Sequence, residues 1–374
     1  MLGIMVLVAI MLFGPTVRWS DGQTVRQSEG QTVTLTTPSC KTCRIEKSVV
    51  VEFGNDAAAQ EAAPDGLMGG IAVGNAFLGV VQAMKAVPVV FGADGKIIRV
   101  LGRSGQGPGE FAGPGLVSTW RGDSILIADG MSGRMSVFDR NWKFGRSFLL
   151  SPGIESWAPL SNGSLVGAVG PESRQGDMLQ IIDATGKLLG TFGKVSDADS
   201  AAGARNSASL ITSDGRIVWT VSFLGTYRII EWNPATKARL RTLVRRGDGF
   251  ASKQEFAEMS PRTPPSPAIK GLFRDGPHLW VFYSVADRQW ARGLVQAEMQ
   301  GHTGKVKYWK AEQPDLVFDT IVEAIDIATG KLLASQKFDE AYIAITSTGN
   351  LALHRGETTD GEPLSRLVRF EIRR

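Results

Sequence analysis

Short apolar runs separated by turn-forming residues recur along most of this chain. In residues 87–111, Val89, Val90 and Phe91 form one β-rich run and residues 97–101 form a second. The intervening Ala-Asp-Gly-Lys is typical of a β-hairpin turn, because glycine readily adopts a positive φ. The ten residues that follow the hairpin contain four glycines and a proline. This composition predicts a connector and not the interior of a helix or a central strand.

The same unit of paired strands and connector recurs until the end of the chain. Later copies of the hairpin lie at residues 135–148, 179–192, 227–243 and 321–338, and a sixth unit has single runs at 342–345, 349–354 and 364–372. The last unit is one strand short, whereas residues 45–53 form a β-rich run with no hairpin partner. Pairing these two regions would remove an exposed sheet edge. We therefore predict an all-β fold over residues 40–374, a six-bladed β-propeller closed by an N-terminal strand that pairs into the last blade.

The strand order also predicts which loops share a face of the ring. If each blade runs from its innermost to its outermost strand, the connectors between blades and the loops between second and third strands lie on one face, here called the linker face. The hairpin turns lie on the other, the turn face. Two long segments, residues 245–270 and 284–316, fall on the linker face beside the fifth blade. Long loops in compact domains are commonly functional, so we predict a partner surface or a lid there.

Composition narrows the class of protein. The hydrophobic fraction of 43%, the charged fraction of 21% and the 44 glycines are typical of a folded, turn-rich protein. The formal net charge is +4. The longest basic cluster contains only Arg239, Arg241, Arg245 and Arg246. This pattern does not favour a nucleic-acid partner.

The N-terminus predicts export. Residues 1–13 are almost unbroken apolar sequence, which is long enough for the core of a signal peptide but short for a membrane-spanning helix. We therefore expect residues 1–20 to be a signal peptide or an N-terminal anchor, with contact to a membrane only if this segment is retained. Residues 21–39 read as a polar linker. The protein is expected to be periplasmic or extracellular.

The two cysteines, Cys40 and Cys43, are spaced Cys-x-x-Cys. In an oxidising compartment this spacing favours a local disulfide. A redox-active pair and a zinc site are the alternatives, although no helix N-terminus that would activate a thiol is evident. Covalent haem attachment in its usual form is excluded, because Arg44 stands where the histidine would be.

These features together resemble a known family. The repeated hairpin, the connector at residues 102–111 and the preceding Cys-x-x-Cys are similar to the bacterial exported six-bladed β-propellers related to NHL-repeat proteins. The resemblance covers residues 40–374. Members of that family mostly lack an assigned activity, so the resemblance implies the fold and says little about function.

Five residues are candidates for ligand binding. Arg103, Glu110 and Arg134 are placed either near the mouth of the central channel or in bridges between blades. Trp290 and Trp309 lie in the 284–316 insertion, and aromatic side chains in long surface loops favour glycan or peptide contacts. The predicted function is therefore an exported binding scaffold that recognises a protein, peptide or glycan through loops on one face, without a cofactor.

The alternative is a metal-dependent enzyme of the lactonase or lyase type, with calcium or zinc in the central channel polarising the substrate. His278 and His354 are the weak candidate ligands. The apolar runs that we interpret as inner strands are poor in ligating groups. They lie at residues 126–128, 165–169, 218–221 and 351–353. No catalytic residues can be assigned from the sequence, so the scaffold is favoured over the enzyme.

Overall fold

The computed structural model describes residues 30–54, 57–62, 67–81, 87–122, 124–150, 153–170, 177–194, 209–222, 227–247, 250, 259–301, 304–344, 351–357, 361 and 363–374. The described strands form six four-stranded sheets arranged in a ring. Each sheet is one blade, and the innermost strands of successive blades contact each other around the central axis. The protein is a six-bladed β-propeller, as the sequence predicts.

The strands of each blade are given from the innermost to the outermost. Blade 1 contains Gly69–Val73, Ala76–Val80, Val89–Phe91 and Ile97–Val100. Blade 2 contains Pro114–Trp120, Ser124–Asp129, Arg134–Phe138 and Phe144–Leu149. Blade 3 contains Ile154–Pro159, Leu165–Val169, Asp177–Ile182 and Leu188–Lys194. Blade 4 contains Ser209–Ser213, Val218–Ser222, Arg228–Asn233 and Ala238–Arg245. Blade 5 contains Ala268–Asp275, His278–Ala286, Phe318–Asp326 and Lys331–Phe338. Blade 6 contains Tyr342–Ala344, Leu351–Glu357, Pro363–Arg373 and Arg44–Phe53.

Closure of the ring by an N-terminal strand is confirmed. Arg44–Phe53 pairs antiparallel with Pro363–Arg373 and forms the outermost strand of blade 6. At its end, Phe53 is buried among side chains of blades 6 and 1. The first and last parts of the chain therefore share one sheet, and that sheet seals the seam of the ring.

The segment that precedes this strand differs from the polar linker predicted over residues 21–39. Gln31–Leu35 is a strand that pairs in parallel with Ala238–Arg245 at the outer edge of blade 4. Ser39 and Cys40 then donate backbone hydrogen bonds to carbonyls of the outermost strand of blade 5. These contacts form because an edge strand has unpaired backbone groups that an adjacent extended segment can satisfy. The segment 30–53 thus runs along the rim of blades 4, 5 and 6, and residues 1–29 lie outside the described part of the chain.

A disulfide between Cys40 and Cys43, with a Cα–Cα distance of 5.3 Å, closes the turn on this rim. The turn lies between the contacts to blade 5 and the outermost strand of blade 6. No helix among the described residues is both long and apolar enough to cross a membrane.

Apolar side chains pack mainly between neighbouring blades, in six clusters with one at each interface. Phe111, in the connector between blades 1 and 2, is fully buried in the cluster formed by those two blades. The connector contains a short parallel pair, Arg103–Ser104 with Glu110–Phe111. Blade stacking is therefore the main source of buried apolar area, and the connectors contribute to it.

The innermost strands differ from the prediction. The four apolar runs interpreted as inner strands, including Leu165–Val169 and Val218–Ser222, are second strands, buried on both faces. The true innermost strands of blades 3 and 4 are Ile154–Pro159 and Ser209–Ser213, in which polar residues interrupt the apolar run. The channel is thus lined by residues that the sequence interpretation did not consider.

Candidate functional site

The long loop inside blade 5 is a structured module on the linker face. It spans residues 287–317, slightly shifted from the predicted 284–316, and contains a 3-10 helix (Trp290–Gly293), a hairpin (Leu294–Gly301 and Gly304–Ala311) and a short helix (Pro314–Val317). We call it the blade-five insertion. Trp290 Nε1 donates to the backbone oxygen of Ser260 at 3.2 Å. The insertion is therefore fastened to the other long segment, the connector that enters blade 5.

A second contact fastens the insertion to blade 6. The Asp315 carboxylate accepts a hydrogen bond from the Ala341 amide at 2.8 Å and lies 2.9 Å from His354 Nε2. His354 is 8% exposed and its ring lies against Tyr342. The base of the insertion is thus held on two sides, by the connector and by blade 6.

A cleft of about 540 Å³ lies between the insertion and blade 6. The insertion contributes Lys310, Glu312 and Asp315, and blade 6 contributes Arg355 and Glu357. Lys310 pairs with Glu312 at 3.0 Å. Charges of both signs therefore line the cleft, and its volume lies within the range typical of ligand sites.

The hairpin of the insertion is amphipathic. Residues directly opposite each other in an antiparallel pair share a face, and the pairs are Val295 with Lys310, Ala297 with Tyr308 and Met299 with Val306. Val295, Met299 and Val306 are 41%, 46% and 48% exposed. Lys310 of this face and Ala311 of the opposite face both line the cleft, so the hairpin borders the cleft at its base.

The opposite face of the hairpin is polar apart from Trp309 and, at its base, Leu294 and Ala311. Gln296 lies opposite Trp309, and Glu298 and Lys305 form an exposed ion pair at 3.2 Å. Trp309 is half-buried. The structure thus gives the two predicted tryptophans different places: Trp290 anchors the insertion, whereas Trp309 lies on the polar face of its hairpin.

The remaining candidate ligand residues contact neighbouring groups in the first connector and in blade 2. Glu110 pairs with Arg103 at 2.6 Å and accepts a hydrogen bond from the Gly107 amide at 2.9 Å. The hydrogen bond from the Gly107 amide, and after it the hydrogen bond from Arg103, lower the pKa of the Glu110 carboxyl. Arg134 donates to Ser147 in the outermost strand of blade 2. Arg103 and Glu110 thus pair within their own connector, and Arg134 bonds within blade 2.

The two histidines cannot share a metal ion. His278 follows the turn at the end of the innermost strand of blade 5, whereas His354 pairs with Tyr342, the first residue of the innermost strand of blade 6. They lie on second strands, toward opposite faces of the ring. Burial lowers the pKa of the His278 imidazole. In the described part of the chain, no three His, Cys, Asp or Glu side chains are grouped so that they could hold a metal ion.

A buried ion pair joins blades 4 and 5. Glu323, in the third strand of blade 5, is fully buried and accepts hydrogen bonds from Arg245 Nε at 3.0 Å and Ser335 Oγ at 3.2 Å. Arg245 ends the outermost strand of blade 4 and also donates to the backbone oxygen of Thr36. Blade 4, blade 5 and the N-terminal rim segment therefore meet at this pair.

The fold and its closure define a six-bladed β-propeller, and solved structures of similar fold exist. A putative exported protein from Bacteroides fragilis has a TM-score of 0.58 and 10% identity, over 92% of this chain and 99% of that chain. A member of the DUF4221 family from Bacteroides vulgatus has a TM-score of 0.54 and 11% identity, over 88% and 98%. Virginiamycin B lyase from Staphylococcus aureus has a TM-score of 0.42 and 12% identity, over 87% and 99%. No protein-family model matches the sequence, and no curated protein matches it. Similarity at these identities concerns the fold alone.

Proposed function

We propose that the protein is an exported binding scaffold that holds a protein, peptide or glycan on its linker face, through the blade-five insertion and the adjoining cleft. The observation that carries the proposal is the exposed apolar face of the hairpin, whose base borders the 540 Å³ cleft. The ring does not need this hairpin, because the four strands of blade 5 are complete without it. Contiguous exposed apolar surface of this kind is typical of interaction sites.

Among the three ligand classes, the hairpin favours an extended peptide segment of a partner. In the described structure its two strands pair only with each other. Their outer edges therefore leave backbone groups to which an extended segment can add as a further strand. Alternating apolar side chains of such a segment would cover Met299 and Val306, and its charged groups would meet the mixed charges of the cleft.

Export is supported by the apolar N-terminal residues 1–13. The name of the Bacteroides fragilis protein of similar fold also describes it as exported. The periplasm and the cell exterior are the two destinations that this proposal allows.

The test compares the two faces of the hairpin. The double variant Met299→Lys/Val306→Lys should lose binding to ligands selected by wild-type protein from a random-peptide library and a glycan array. At least a tenfold loss of affinity is expected, because two apolar contacts are removed at about 1 kcal/mol or more each. The matched control, Gln296→Lys/Gln300→Lys, adds the same charge to the opposite face and should retain binding.

Equal losses in both double variants would contradict a site on the apolar face. A wild-type protein that selects nothing from either library would contradict the proposed function. Selection of glycans alone, abolished by Trp309→Ala and not by Met299→Lys/Val306→Lys, would move the site to the polar face.

A further inference from the structure

The turn-face end of the central channel contains a small pocket of about 90 Å³. It is formed by the last residues of the innermost strands of blades 2, 3, 4 and 5. Its polar lining consists of Ser118, Thr119, Thr212, Ser213 and Arg274. We call it the channel-mouth pocket. It lies at the opposite end of the ring from the blade-five insertion, so it is independent of the proposed function.

Arg274 is the charged residue of this pocket. Its Nε is shielded from solvent and has no hydrogen-bond partner among the described groups. Its backbone amide donates to Thr212 Oγ1 at 3.3 Å, which joins the ends of the innermost strands of blades 4 and 5. Asp275 projects from the other side of the strand, because successive side chains alternate. In the part of the chain that is described, no carboxylate neutralises this guanidinium.

Two hydroxyls of the pocket are oriented as donors by their other contacts. Ser118 Oγ accepts the indole hydrogen of Trp157 at 2.7 Å, and Thr212 Oγ1 accepts the amide of Arg274. Each hydroxyl has a single hydrogen that remains available to a further acceptor. The pocket therefore combines a guanidinium with hydroxyl donors, which is the chemistry that binds oxyanions.

We propose that the channel-mouth pocket binds a small oxyanion, the carboxylate or phosphate group of a ligand, with Arg274 as its charged contact. A planar guanidinium matches the two oxygens of either group. The pocket is far larger than the roughly 10–15 Å³ that one water needs, and it suits a group of a few non-hydrogen atoms. Such a ligand would supply the acceptor that the buried Nε lacks.

The test is titration of the full-length purified protein with inorganic phosphate and with acetate, by calorimetry and by thermal unfolding, against chloride at equal ionic strength. Wild-type protein should bind at least one of the two anions and unfold at a higher temperature in its presence. Arg274→Gln should weaken this binding about tenfold or more, as expected for the loss of one charge-assisted hydrogen bond. Arg216→Gln, on an exposed arginine of the neighbouring turn on the same face, is the matched control and should bind normally.

The relative affinities for phosphate and acetate identify which group the pocket selects. Wild-type protein that binds neither anion more strongly than chloride overturns the proposal without any variant. Binding that Arg274→Gln leaves unchanged overturns it as well. If Arg274→Gln does not fold, Arg274→Lys keeps the charge but loses the fork of two donors, and unchanged binding in that variant contradicts the role given to the guanidinium.

Discussion

Replacing Phe53 by alanine should lower the free energy of unfolding by about 3–5 kcal/mol, the usual cost of removing a large buried aromatic side chain. Phe53 is 2% exposed. Its ring centroid lies 5.0 Å from that of Phe77 and 4.7 Å from that of Phe91, both in blade 1. Because Phe53 belongs to the strand that completes blade 6, the substitution leaves a cavity at the seam where the ring closes.

Equilibrium unfolding in urea measures this loss, and Val49→Ala is the control on the same strand. Val49 is 56% exposed, so its truncation should change the unfolding free energy by less than about 0.5 kcal/mol. Deletion of residues 49–53 should lower the melting temperature further, because it also opens an edge of blade 6. If Phe53→Ala and Val49→Ala were equally stable, closure by this strand would not contribute to stability.

Closure was predictable from the sequence because the evidence for it is local on both sides. Residues 45–53 form a β-rich run without a hairpin partner, and the last unit lacks a strand. The hairpins were equally predictable, because a turn with a positive-φ glycine, such as Gly95, separates two apolar runs. Where local pattern and turn chemistry agree, the architecture follows from them.

The channel lining was not predictable in the same way. In an innermost strand such as Ser209–Ser213, the hydroxyl residues leave neither a continuous apolar run nor a clear alternation. The second strands are the most apolar segments because they are buried on both faces, and they were therefore mistaken for the innermost ones. The sequence around Arg274 does not indicate a pocket, because the pocket also requires Thr212 and Ser118 from other blades.

The blade-five insertion was predictable only in part. Its length and its position beside blade 5 follow from the spacing of the repeats. The alternation of Val295, Ala297 and Met299, followed by Val306 and Tyr308, would have indicated an amphipathic hairpin. The contacts that fix it do not follow from sequence, because Trp290 binds Ser260 and Asp315 meets His354 across long separations in the chain. Residues that fasten a loop can be recognised only when the fold has brought them together.

The second large effect is expected at the buried ion pair between blades 4 and 5. Arg245→Met should lower the free energy of unfolding by about 3–5 kcal/mol near neutral pH, because it leaves the Glu323 carboxylate buried without its partner. Arg245 lies 3.0 Å from Glu323, and the glutamate side chain is fully buried. Arg373→Met is the control, since Arg373 and Glu46 are 3.6 Å apart and about two-thirds exposed. Loss of that exposed pair should cost less than about 0.5 kcal/mol.

The effect of Arg245→Met should depend on pH in a defined direction. Burial raises the pKa of the Glu323 carboxyl, and Arg245 opposes the rise. The folded state therefore binds this proton more tightly than the unfolded chain does. Stability is lost as pH rises from the pKa of glutamate in the unfolded chain, about 4.3, to the raised pKa in the folded state. Arg245→Met removes the opposing charge, so the pKa of Glu323 in the folded state rises further and the pH range over which stability is lost becomes wider. The loss of stability should therefore be smaller near pH 5 than near pH 8.

The double variant Arg245→Met/Glu323→Gln separates the cost of an unpaired charge from the loss of contacts. Glutamine removes the charge and keeps an oxygen for Ser335, which lies 3.2 Å from the glutamate oxygen. If the uncompensated carboxylate causes the loss, the double variant should recover about 2 kcal/mol relative to Arg245→Met at pH 8 and should lose the added pH dependence. Urea unfolding of the four proteins of this cycle at both pH values measures the coupling. A double variant no more stable than Arg245→Met, with the same pH profile, would mean that Arg245 acts through packing and its bond to Thr36 and not through its charge.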